Sequence, residues 1–474
     1  MRNNKKSKRE MIAGELDNRQ AVNSRMSLVS ILLCSFSLWF FTVLINWPGH
    51  YSFDSIVQLA EGMTGYYISS HSPLMSQILG WLTRIGGHGV FIVINSFLFF
   101  LSQGLILLKF KNLGKQSALM IVLLIAMSLN PMVLIYNGTV WKDVFCANLL
   151  LLSFVIIWFF DKARLHGVVA GLGLAVVASM VRQQGALVAI VIMVYAAWEV
   201  RRPGTPTQSG FVRAVVLCAV CMLLFFSAIS AAVILGQKEL DESGMSAGLV
   251  VAAGFDVAGM IVNSTAPEVV LSRYISNAAE AVTLARQSYT PARVDTLSPF
   301  LNSIAQVSGK NMYKLWLDLA LNEPSSLLMH KLKAATVLFG GNESARCLTV
   351  HVGVADEALD FLQDSGYPYY FPEGFLPEQS TFSGKLYAYA KSMPYLFTGW
   401  VWIVALIVVF FLGLFRKLLF VQVLSVGGLV YVGSFVLIGI ACDFRYLYFG
   451  TLASATGMLV LVGHALEHSR RRKA

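Results

Sequence analysis

The chain has 474 residues, and its composition excludes an ordinary soluble protein of that length. Charged residues make up 13% of the chain, about half of the ~25% share typical of soluble domains, while hydrophobic residues reach 56%. The mean hydropathy is +0.65. So little charge cannot cover a water-exposed surface of this size, so the sequence indicates a protein that crosses a membrane several times.

Apolar runs recur along the chain at about the 20-residue length that crosses a bilayer as a helix. The fifth and sixth runs are short and are separated only by Arg182-Gln183-Gln184, so whether they form two helices or one bent unit stays open. The sequence therefore predicts an all-α polytopic membrane protein with about ten transmembrane helices. The predicted spans are 26–46, 89–109, 116–136, 144–160, 167–181, 185–199, 211–236, 395–415, 418–440 and 446–464.

The segment 237–394, between the seventh and eighth spans, does not resemble a span. It holds 11 basic and 16 acidic residues and is predicted to be a mainly helical extracytoplasmic domain. Within it, 266–287 and 311–339 show amphipathic helical patterns, while 288–300 and 364–380 are rich in turn-forming residues and predict loops. The other predicted parts are a basic tail at 1–25, spans one to seven at 26–236 with a first outer loop at 47–88, spans eight to ten at 395–464, and a basic tail at 465–474.

Lysine and arginine are divided unevenly between the two sides of the predicted membrane part. Twenty-one lie in the two tails and in the loops on the same side as the tails. The short loops on the other side hold only Arg84, Lys142, Arg182 and Arg445. Because short cytoplasmic loops carry the excess of basic residues, both termini are predicted to be cytoplasmic, with the protein in the inner or plasma membrane. The net charge of +10 then follows from this asymmetry and predicts no nucleic-acid partner.

The six cysteines fall into two groups. Four lie inside apolar runs, where thiols act as small hydrophobic groups. Cys347 and Cys442 lie outside those four runs, and their spacing leaves a disulfide between them open. The four in apolar runs are Cys34, Cys146, Cys218 and Cys221.

Three of the four outer basic residues belong to short motifs at the outer ends of different spans. Ionisable residues at that depth usually face a polar cavity, and three cations there would suit a phosphate or pyrophosphate head group. The alternatives are snorkelling at the interface and ion pairing inside each motif. Arg84 is predicted to be a snorkelling anchor. The motifs are Trp141-Lys142-Asp143, Arg182-Gln183-Gln184-Gly185 and Asp443-Phe444-Arg445-Tyr446, which makes Lys142, Asp143, Arg182, Asp443 and Arg445 candidate substrate-binding residues.

The first outer loop carries the candidate acid–base residues. Asp54 stands at the start of a predicted interfacial helix, either as its N-cap or as a carboxylate able to act as general base. Gln58, four residues on, would share its face and is a candidate for substrate binding. His71, just before the helix start at Ser72-Pro73, is a second catalytic candidate, or else only a polar loop residue. The apolar residues with helical spacing are Phe53, Ile56, Val57 and Ala60.

Several chemistries lack their sequence signals. There is no His-x3-His spacing for a zinc site, no Walker A loop, no dinucleotide-binding glycine pattern and no nucleophile elbow. No metal ligand and no firm cofactor are predicted, and a requirement for Mg²⁺ or Mn²⁺ stays open. An enzyme of this kind would receive its activated substrate through the membrane.

The order of these motifs resembles a known superfamily, the polytopic glycosyltransferases of the C-type fold, which use polyprenyl-phosphate sugars. Protein mannosyltransferases and aminoarabinose transferases belong to it, and the similarity is greatest to an uncharacterised bacterial branch. The matching segments span most of the chain. They are Pro48-Gly49, Asp54-Ser55-Ile56-Val57-Gln58, His71-Ser72-Pro73, Trp141-Lys142-Asp143, Arg182-Gln183-Gln184-Gly185, Phe444-Arg445-Tyr446 and the run from Trp316 to Pro324.

The resemblance implies transfer of a sugar from a polyprenyl-phosphate donor to a glycan, lipid or protein acceptor outside the cytoplasm. Asp54 would be the general base, and Lys142, Arg182 and Arg445 would hold the lipid phosphate. Many members carry an acidic pair where this chain offers only Asp143, so the resemblance does not decide metal dependence.

The sequence also leaves other interpretations open. An aromatic run in the outer domain suits stacking on sugars, or else forms a packed loop. The alternative functions are a transporter or flippase for a lipid-linked or anionic solute, and a glycan polymerase or ligase. The aromatic residues are Tyr367, Tyr369, Tyr370 and Phe371.

Overall fold

The computed structural model describes residues 28–67, 72–160, 164–201, 208–235, 239–240, 242–305, 307, 309–341, 347–364, 367, 371 and 373–473. Regular structure in these residues is almost entirely helical, which confirms the all-α class. The helices are α1 (Leu28–Asn46), α2 (Phe53–Thr64), α3 (Pro73–Gly86), α4 (Val90–Lys109), α5 (Ser117–Ser128), α6 (Pro131–Tyr136), α7 (Lys142–Phe159), α8 (Arg164–Val181), α9 (Gly185–Arg201), α10 (Gln208–Leu235), α11 (Glu242–Asn263), α12 (Pro267–Leu271), α13 (Ala278–Ser288), α14 (Ser298–Ser303), α15 (Gly309–Asn322), α16 (Pro324–Leu338), α17 (Glu357–Asp364), α18 (Ser383–Lys391), α19 (Gly399–Phe415), α20 (Leu419–Ile438) and α21 (Tyr448–Lys473). Two short strands, β1 (Tyr66–Tyr67) and β2 (Glu239–Leu240), pair in parallel.

Within the described residues, six helices are long and apolar enough to cross a membrane. They correspond to six of the ten predicted spans. The other four predicted spans correspond to shorter or interrupted helices. The six are Leu28–Asn46, Val90–Lys109, Lys142–Phe159, Phe211–Leu235, Leu419–Ile438 and Phe444–Arg472.

The third predicted span is interrupted at Asn130-Pro131, where α5 ends and α6 begins. The side chain of Asn130 accepts a hydrogen bond from the backbone N–H of Met132 at 3.0 Å, which caps α6. Pro131 occupies the first turn of α6, where a missing N–H costs nothing. The same proline could not continue α5, because its ring would clash with the preceding turn.

The fifth and sixth predicted spans are two separate helices, α8 and α9, which pack against each other. A tight turn joins them, with the backbone N–H of Gly185 donating to the carbonyl of Arg182 at 2.8 Å. A Cβ on Gly185 would lie 2.9 Å from the carbonyl oxygen of Ala178 and 3.1 Å from Sγ of Cys146. The turn therefore requires glycine, and it places Arg182 at the tip of the α8–α9 hairpin.

The segment after α10 contains a hydrophobic core of its own. Helices α11 to α15 contribute buried residues to it, among them Phe255, Leu271, Phe300 and Leu315. Residues beyond about 337 instead join the larger core of the apolar helices, through Ala358, Leu362 and others.

The predicted helix boundaries in this region are only partly correct. The predicted helix 266–287 divides into α12 and α13, and 311–339 divides into α15 and α16 at Glu323-Pro324. The proline explains the second division, because it fits the first turn of α16 and not the interior of a longer helix. Helix α11 was not predicted.

Helices α2 and α3 form a close pair beside the candidate site. They touch at Gly62 and Gly80, where a Cβ on Gly80 would lie 2.1 Å from the carbonyl oxygen of Gly62. Helix α2 is mostly buried rather than lying on an exposed interface. Arg84 of α3 donates to the carbonyls of Gly62 at 3.0 Å and Met63 at 2.6 Å, so its side chain caps the end of α2.

Candidate functional site

The three predicted cationic motifs meet at one place. Trp141 lies just before α7, Arg182 lies in the α8–α9 turn, and Arg445 lies in a short 3-10 helix (Phe444–Leu447) that leads into α21. The tertiary structure therefore brings together residues that are up to about 300 positions apart in the chain. The sequence predicted this convergence from the motifs' common membrane side.

Arg182 and Arg445 are both paired with carboxylates. Arg182 Nε lies 3.0 Å from Oδ1 of Asp143, which is fully buried. Arg445 Nη2 lies 3.0 Å from Oδ2 of Asp54 and 3.2 Å from Oδ2 of Asp443, and its Nε lies 3.8 Å from Oδ2 of Asp143. The alternative of pairing inside a motif is thus correct for Arg445 with Asp443, but the other pairs join different motifs. We call Asp54, Asp143, Arg182, Asp443 and Arg445 the ion-pair cluster.

Aromatic rings enclose the two guanidinium groups. The guanidinium carbon of Arg182 lies 5.3 Å from the ring centre of Phe435 and 5.1 Å from that of Tyr446. Arg445 lies 5.1 Å from the ring of Trp141 and 5.4 Å from the ring of Tyr446. Cation–π contacts of this kind hold a guanidinium in place and exclude water from it.

Lys142 belongs to the same electrostatic environment. It is partly buried at the start of α7, and its charge interacts with those of Asp54, Asp143, Arg182 and Arg445. Together with Lys142, the ion-pair cluster has three basic and three acidic side chains. The sequence emphasised the cations, whereas the structure shows that carboxylates balance them.

Asp54 is the accessible member of the ion-pair cluster. Its side chain is 32% exposed, compared with 0% for Asp143 and 6% for Asp443. Ser52 occupies the N-cap position of α2 and Asp54 lies in the first turn, so the N-cap interpretation of Asp54 is wrong. Ser52 accepts a hydrogen bond from the indole N–H of Trp141 at 2.9 Å, and Ser55 donates to the carbonyl of Val140. These bonds fix the start of α2 against α7 and so position Asp54.

The other two candidates from the first outer loop have different outcomes. Gln58 is buried, and its Nε2 has no hydrogen-bond partner among the described residues. His71 lies outside the described residues, and the helix that was predicted after it is α3, which begins at Pro73 with Ser72 before it.

Sequence reasoning missed Arg293, which reaches the cluster from the segment after α13. Its Nη2 lies 3.6 Å from Oδ1 of Asp443. The backbone N–H of Leu348 also donates to Oδ1 of Asp443, at 3.2 Å. Burial raises the pKa of Asp443, although Arg445 and Arg293 act in the opposite direction. No sequence signal distinguished Arg293 from the other basic residues of the outer segment.

A disulfide joins Cys347 to Cys442, which settles the pairing that the spacing left open. Cys442 immediately precedes Asp443, and Cys347 immediately precedes Leu348. The bond therefore fastens the two chain segments that meet at the Asp443 carboxylate. The segment 440–443 is also held by backbone bonds between Val294 and Ile440 and between Cys442 and Ala292.

Two histidines that were not candidates lie close to the site. His50 is fully buried, with Nε2 2.9 Å from Oδ1 of Asn46 and Nδ1 accepting from the backbone N–H of Gly353 at 3.2 Å. Burial, followed by the nearby His351, lowers the pKa of His50 to about 3, so this imidazole stays neutral and structural. His351 has its ring centre 6.4 Å from that of Trp141.

The predicted sugar-stacking run is not an open surface where it is described. Tyr367 and Phe371 are buried and stack on each other with ring centres 5.7 Å apart, which is the packed-loop alternative. Tyr367 also donates to the backbone carbonyl of Tyr66 at 2.9 Å. Tyr369 and Tyr370 lie outside the described residues.

The described part of the chain contains no group of three or more His, Cys, Asp or Glu side chains arranged to hold a metal ion. The three carboxylates of the cluster are instead occupied by arginine. Comparison with models of known protein families, with curated proteins and with solved structures finds no match.

Proposed function

We propose that the chain is a membrane glycosyltransferase that moves a sugar from a polyprenyl-phosphate carrier to an extracytoplasmic acceptor. The observation that carries the proposal is the ion-pair cluster, in which one exposed carboxylate and two enclosed guanidinium groups lie at the ends of apolar helices. A lipid-linked phosphate needs such a place, because its tail stays in the bilayer while its head group reaches the rim.

Stability alone gives a poor account of the ion-pair cluster. Burying several charges costs desolvation energy that ion pairing often only offsets, and apolar side chains of similar size would serve as well. The cluster also has an accessible end, since Asp54 is partly exposed while its partner Arg445 is enclosed by rings. Such a network suits an exchange in which a ligand from outside the protein takes the place of Asp54 on Arg445.

In the proposed mechanism, the donor phosphate replaces Asp54 on Arg445. The guanidinium can hold phosphate oxygens in a two-pronged way and stabilises the charge that develops on the leaving phosphate. Asp54 then no longer pairs with Arg445 and lies beside the bound donor. It takes the proton of the acceptor hydroxyl, the acceptor oxygen bonds to the anomeric carbon, and the bond from that carbon to the phosphate oxygen breaks with its electron pair.

Two observations support the proposal that the site faces the extracytoplasmic side of the membrane. Disulfides persist in oxidising compartments, and the Cys347–Cys442 bond lies directly beside Asp443. The basic residues of the chain concentrate in the tails and in the loops on the opposite side of the predicted spans. Both favour an extracytoplasmic site, with the termini in the cytoplasm of a cell whose carrier is undecaprenyl or dolichyl phosphate.

Binding of undecaprenyl phosphate to the purified protein in lipid tests the proposal. Arg445→Ala should weaken binding at least tenfold, and Arg445→Lys should recover it only in part, because lysine lacks the two-pronged donor geometry. Arg84→Lys is the matched control, since Arg84 is bonded to the end of α2 and not to the cluster. Equal binding by wild type and Arg445→Ala would remove the phosphate site from the proposal.

A second assay separates an enzyme from a carrier. Wild-type protein is incubated with a labelled undecaprenyl-phosphate sugar and a membrane extract that supplies acceptors. Release of undecaprenyl phosphate together with a labelled larger product supports the transferase, whereas binding without any release of sugar would identify a transporter or flippase. A growing series of product lengths would instead identify a polymerase.

A further inference from the structure

An exposed aromatic pair lies beside Asp54. Phe53 immediately precedes Asp54 on α2, and Phe361 lies on α17, with the two ring centres 5.1 Å apart. Phe53 is 36% exposed and Phe361 is 47% exposed. Phe361 contrasts with Tyr367 and Phe371, which follow it in the chain and are buried.

His351 lies on the same segment as Phe361 and carries a ring nitrogen without a partner. Its Nε2 is buried and has no hydrogen-bond partner among the described residues. Burial lowers the pKa of His351, while hydrogen bonding to the backbone at Tyr51 and Gly353 opposes that shift. Backbone hydrogen bonds thus hold one edge of the imidazole. In the neutral ring, Nε2 carries a lone pair that can accept a hydrogen bond from a ligand.

The chain connects these three residues closely. The backbone N–H of Ala355 donates to the carbonyl of Tyr51 at 2.9 Å, which ties the His351 segment to the residues just before Phe53. Glu357, at the start of α17, interacts electrostatically with His351. Phe361 follows Glu357 by four residues and so shares its helix face. The imidazole thus lies near Trp141 and Arg445, the partner of Asp54, and the aromatic pair lies at the start of α2, which carries Asp54.

The charges facing His351 favour a neutral ligand. The groups that act on its imidazole are His50 from the first outer loop, Arg445 from the ion-pair cluster and Glu357 from α17. Arg445 and Glu357 act on the imidazole in opposite directions, so the charges favour neither a cation nor an anion there, and a second anion would also compete with the donor phosphate. A hydroxyl group can donate to Nε2 without meeting either difficulty.

We propose that Phe53, Phe361 and His351 form a subsite for a neutral sugar ring of the acceptor, which makes the acceptor a glycan or glycolipid. This proposal rests on the proposed function. The apolar face of the sugar stacks on the exposed rings, and one of its hydroxyl groups donates to Nε2 of His351. A second hydroxyl then lies toward Asp54, which takes its proton when the glycosidic bond forms and the phosphate leaves.

The test uses the full chain in lipid with the same labelled donor and membrane extract, and separates two products. Water as acceptor gives free sugar, and the acceptor of the extract gives a larger product. Phe361→Leu and His351→Leu should each lower the larger product about 3- to 10-fold, the loss expected for one contact, while free sugar and undecaprenyl-phosphate binding stay within about twofold. Phe382→Leu is the matched control, because Phe382 is 39% exposed and its ring contacts Lys385 on α18.

The pH dependence gives a second readout. Protonated His351 would donate from Nε2 instead of accepting. Because burial lowers the pKa of His351, transfer to the extract should stay level down to the ordinary value of about 6.5 and fall only at lower pH, while release of free sugar does not follow. His351→Gln keeps an acceptor oxygen and should recover part of the transfer without this pH response.

The other possible results of the product assay would overturn either the subsite or the proposed function. Equal loss of both products, or no loss, in the two leucine variants would overturn the subsite. Unchanged transfer by Phe361→Leu would identify the rings as membrane anchors, since leucine keeps their apolar character. Absence of both products with wild-type protein would instead refute the proposed function, and the subsite with it.

Discussion

At the scale of a single residue, Arg445 makes the largest number of the contacts described at the site. Its guanidinium contacts Asp54 and Asp443 and lies between the rings of Trp141 and Tyr446. The side chain is therefore held on several sides, whereas Asp54 is the most exposed carboxylate of the ion-pair cluster. A fixed cation and an exchangeable carboxylate are what the proposed donor exchange needs.

Replacing Asp54 with Asn separates the proton-accepting role from a structural one. The amide cannot take the acceptor's proton, so turnover should fall by roughly 10² or more. Binding of undecaprenyl phosphate should stay equal or become tighter, because the phosphate no longer competes with a carboxylate for Arg445. Turnover and binding are both measured on purified protein in lipid.

The control for this variant is Asp318→Asn, a carboxylate bonded to Tyr274 in the outer segment. It should leave turnover and binding unchanged. Wild-type turnover by Asp54→Asn would remove Asp54 from the mechanism, and weaker binding would show that Asp54 helps to shape the phosphate site.

The environment of Asp256 predicts that acid destabilises the hydrophobic core to which α11 to α15 contribute. Burial raises its pKa, but the hydrogen bond with His330 at 3.0 Å and the charge and bond of Lys331 at 2.7 Å outweigh burial, and the net pKa is lowered. A lowered pKa stabilises the fold above the unfolded value of about 3.9, and this contribution is lost as the pH falls through the folded value. Asp256→Asn should therefore lose about 2 kcal/mol at pH 7 and show a weaker dependence of unfolding on pH below 4.

Thermal unfolding from pH 7 to pH 3 measures this effect. Asp295→Asn serves as the control, because the Asp295 side chain is 74% exposed. A pH profile of Asp256→Asn that overlays the wild-type profile would contradict the prediction.

At the scale of elements, the α2–α3 contact decides where Asp54 lies. The two backbones approach so closely at Gly62 and Gly80 that any side chain at Gly80 must separate the helices. Ser76 of α3 also donates to Oε2 of the buried Glu61 at 2.7 Å, which fixes the rotation of α2. The carboxylate at the start of α2 is thus positioned by contacts near its end.

Gly80→Ala should therefore destabilise the protein by about 2 kcal/mol, the usual cost of overfilling a packed contact. Turnover should fall with it, since α2 carries Asp54. Gly384→Ala is the control, because a Cβ on Gly384 meets nothing within 4 Å. The midpoint of thermal unfolding in lipid measures both, and equal midpoints would show that α2 and α3 adjust to the methyl group without cost.

At the scale of the whole molecule, the ion-pair cluster is built from distant parts of the chain. Helix α2, the start of α7, the α8–α9 turn, Arg293 and the entry to α21 all contribute. The Cys347–Cys442 bond ties the entry to α21 to the segment that contains Leu348. A single reversed span would separate the members of the cluster.

Cysteine labelling in intact cells tests this arrangement. A cysteine at Thr283, exposed on α13, should react with an impermeant thiol reagent, and a cysteine at Asn112, exposed between α4 and α5, should react only after the membrane is opened. The background keeps Cys347 and Cys442 and replaces the other cysteines. Labelling of the Asn112 position alone would place the site in the cytoplasm and contradict the proposed function.

The sequence alone determined the class of the protein and the identity of most cluster residues. Apolar length and scarcity of charge are local properties, so the all-α class and six of the long helices could be predicted from them. Lys142, Arg182 and Arg445 could also be identified from local sequence, because basic residues are rare in the short loops on their side of the predicted membrane. The helix end at Asn130-Pro131 was harder to place, because it lies inside a single apolar run with no internal boundary.

Only the tertiary structure decided which charges meet. The pairing of Arg445 with Asp54, and of Arg182 with Asp143, depends on distances between helices that no spacing in the chain records. Arg293 and His351 were missed because each is an ordinary residue in a polar segment until the fold brings it to Asp443 or Trp141. The burial of Tyr367 was equally hidden, since an aromatic residue packs inward or outward according to its neighbours in space.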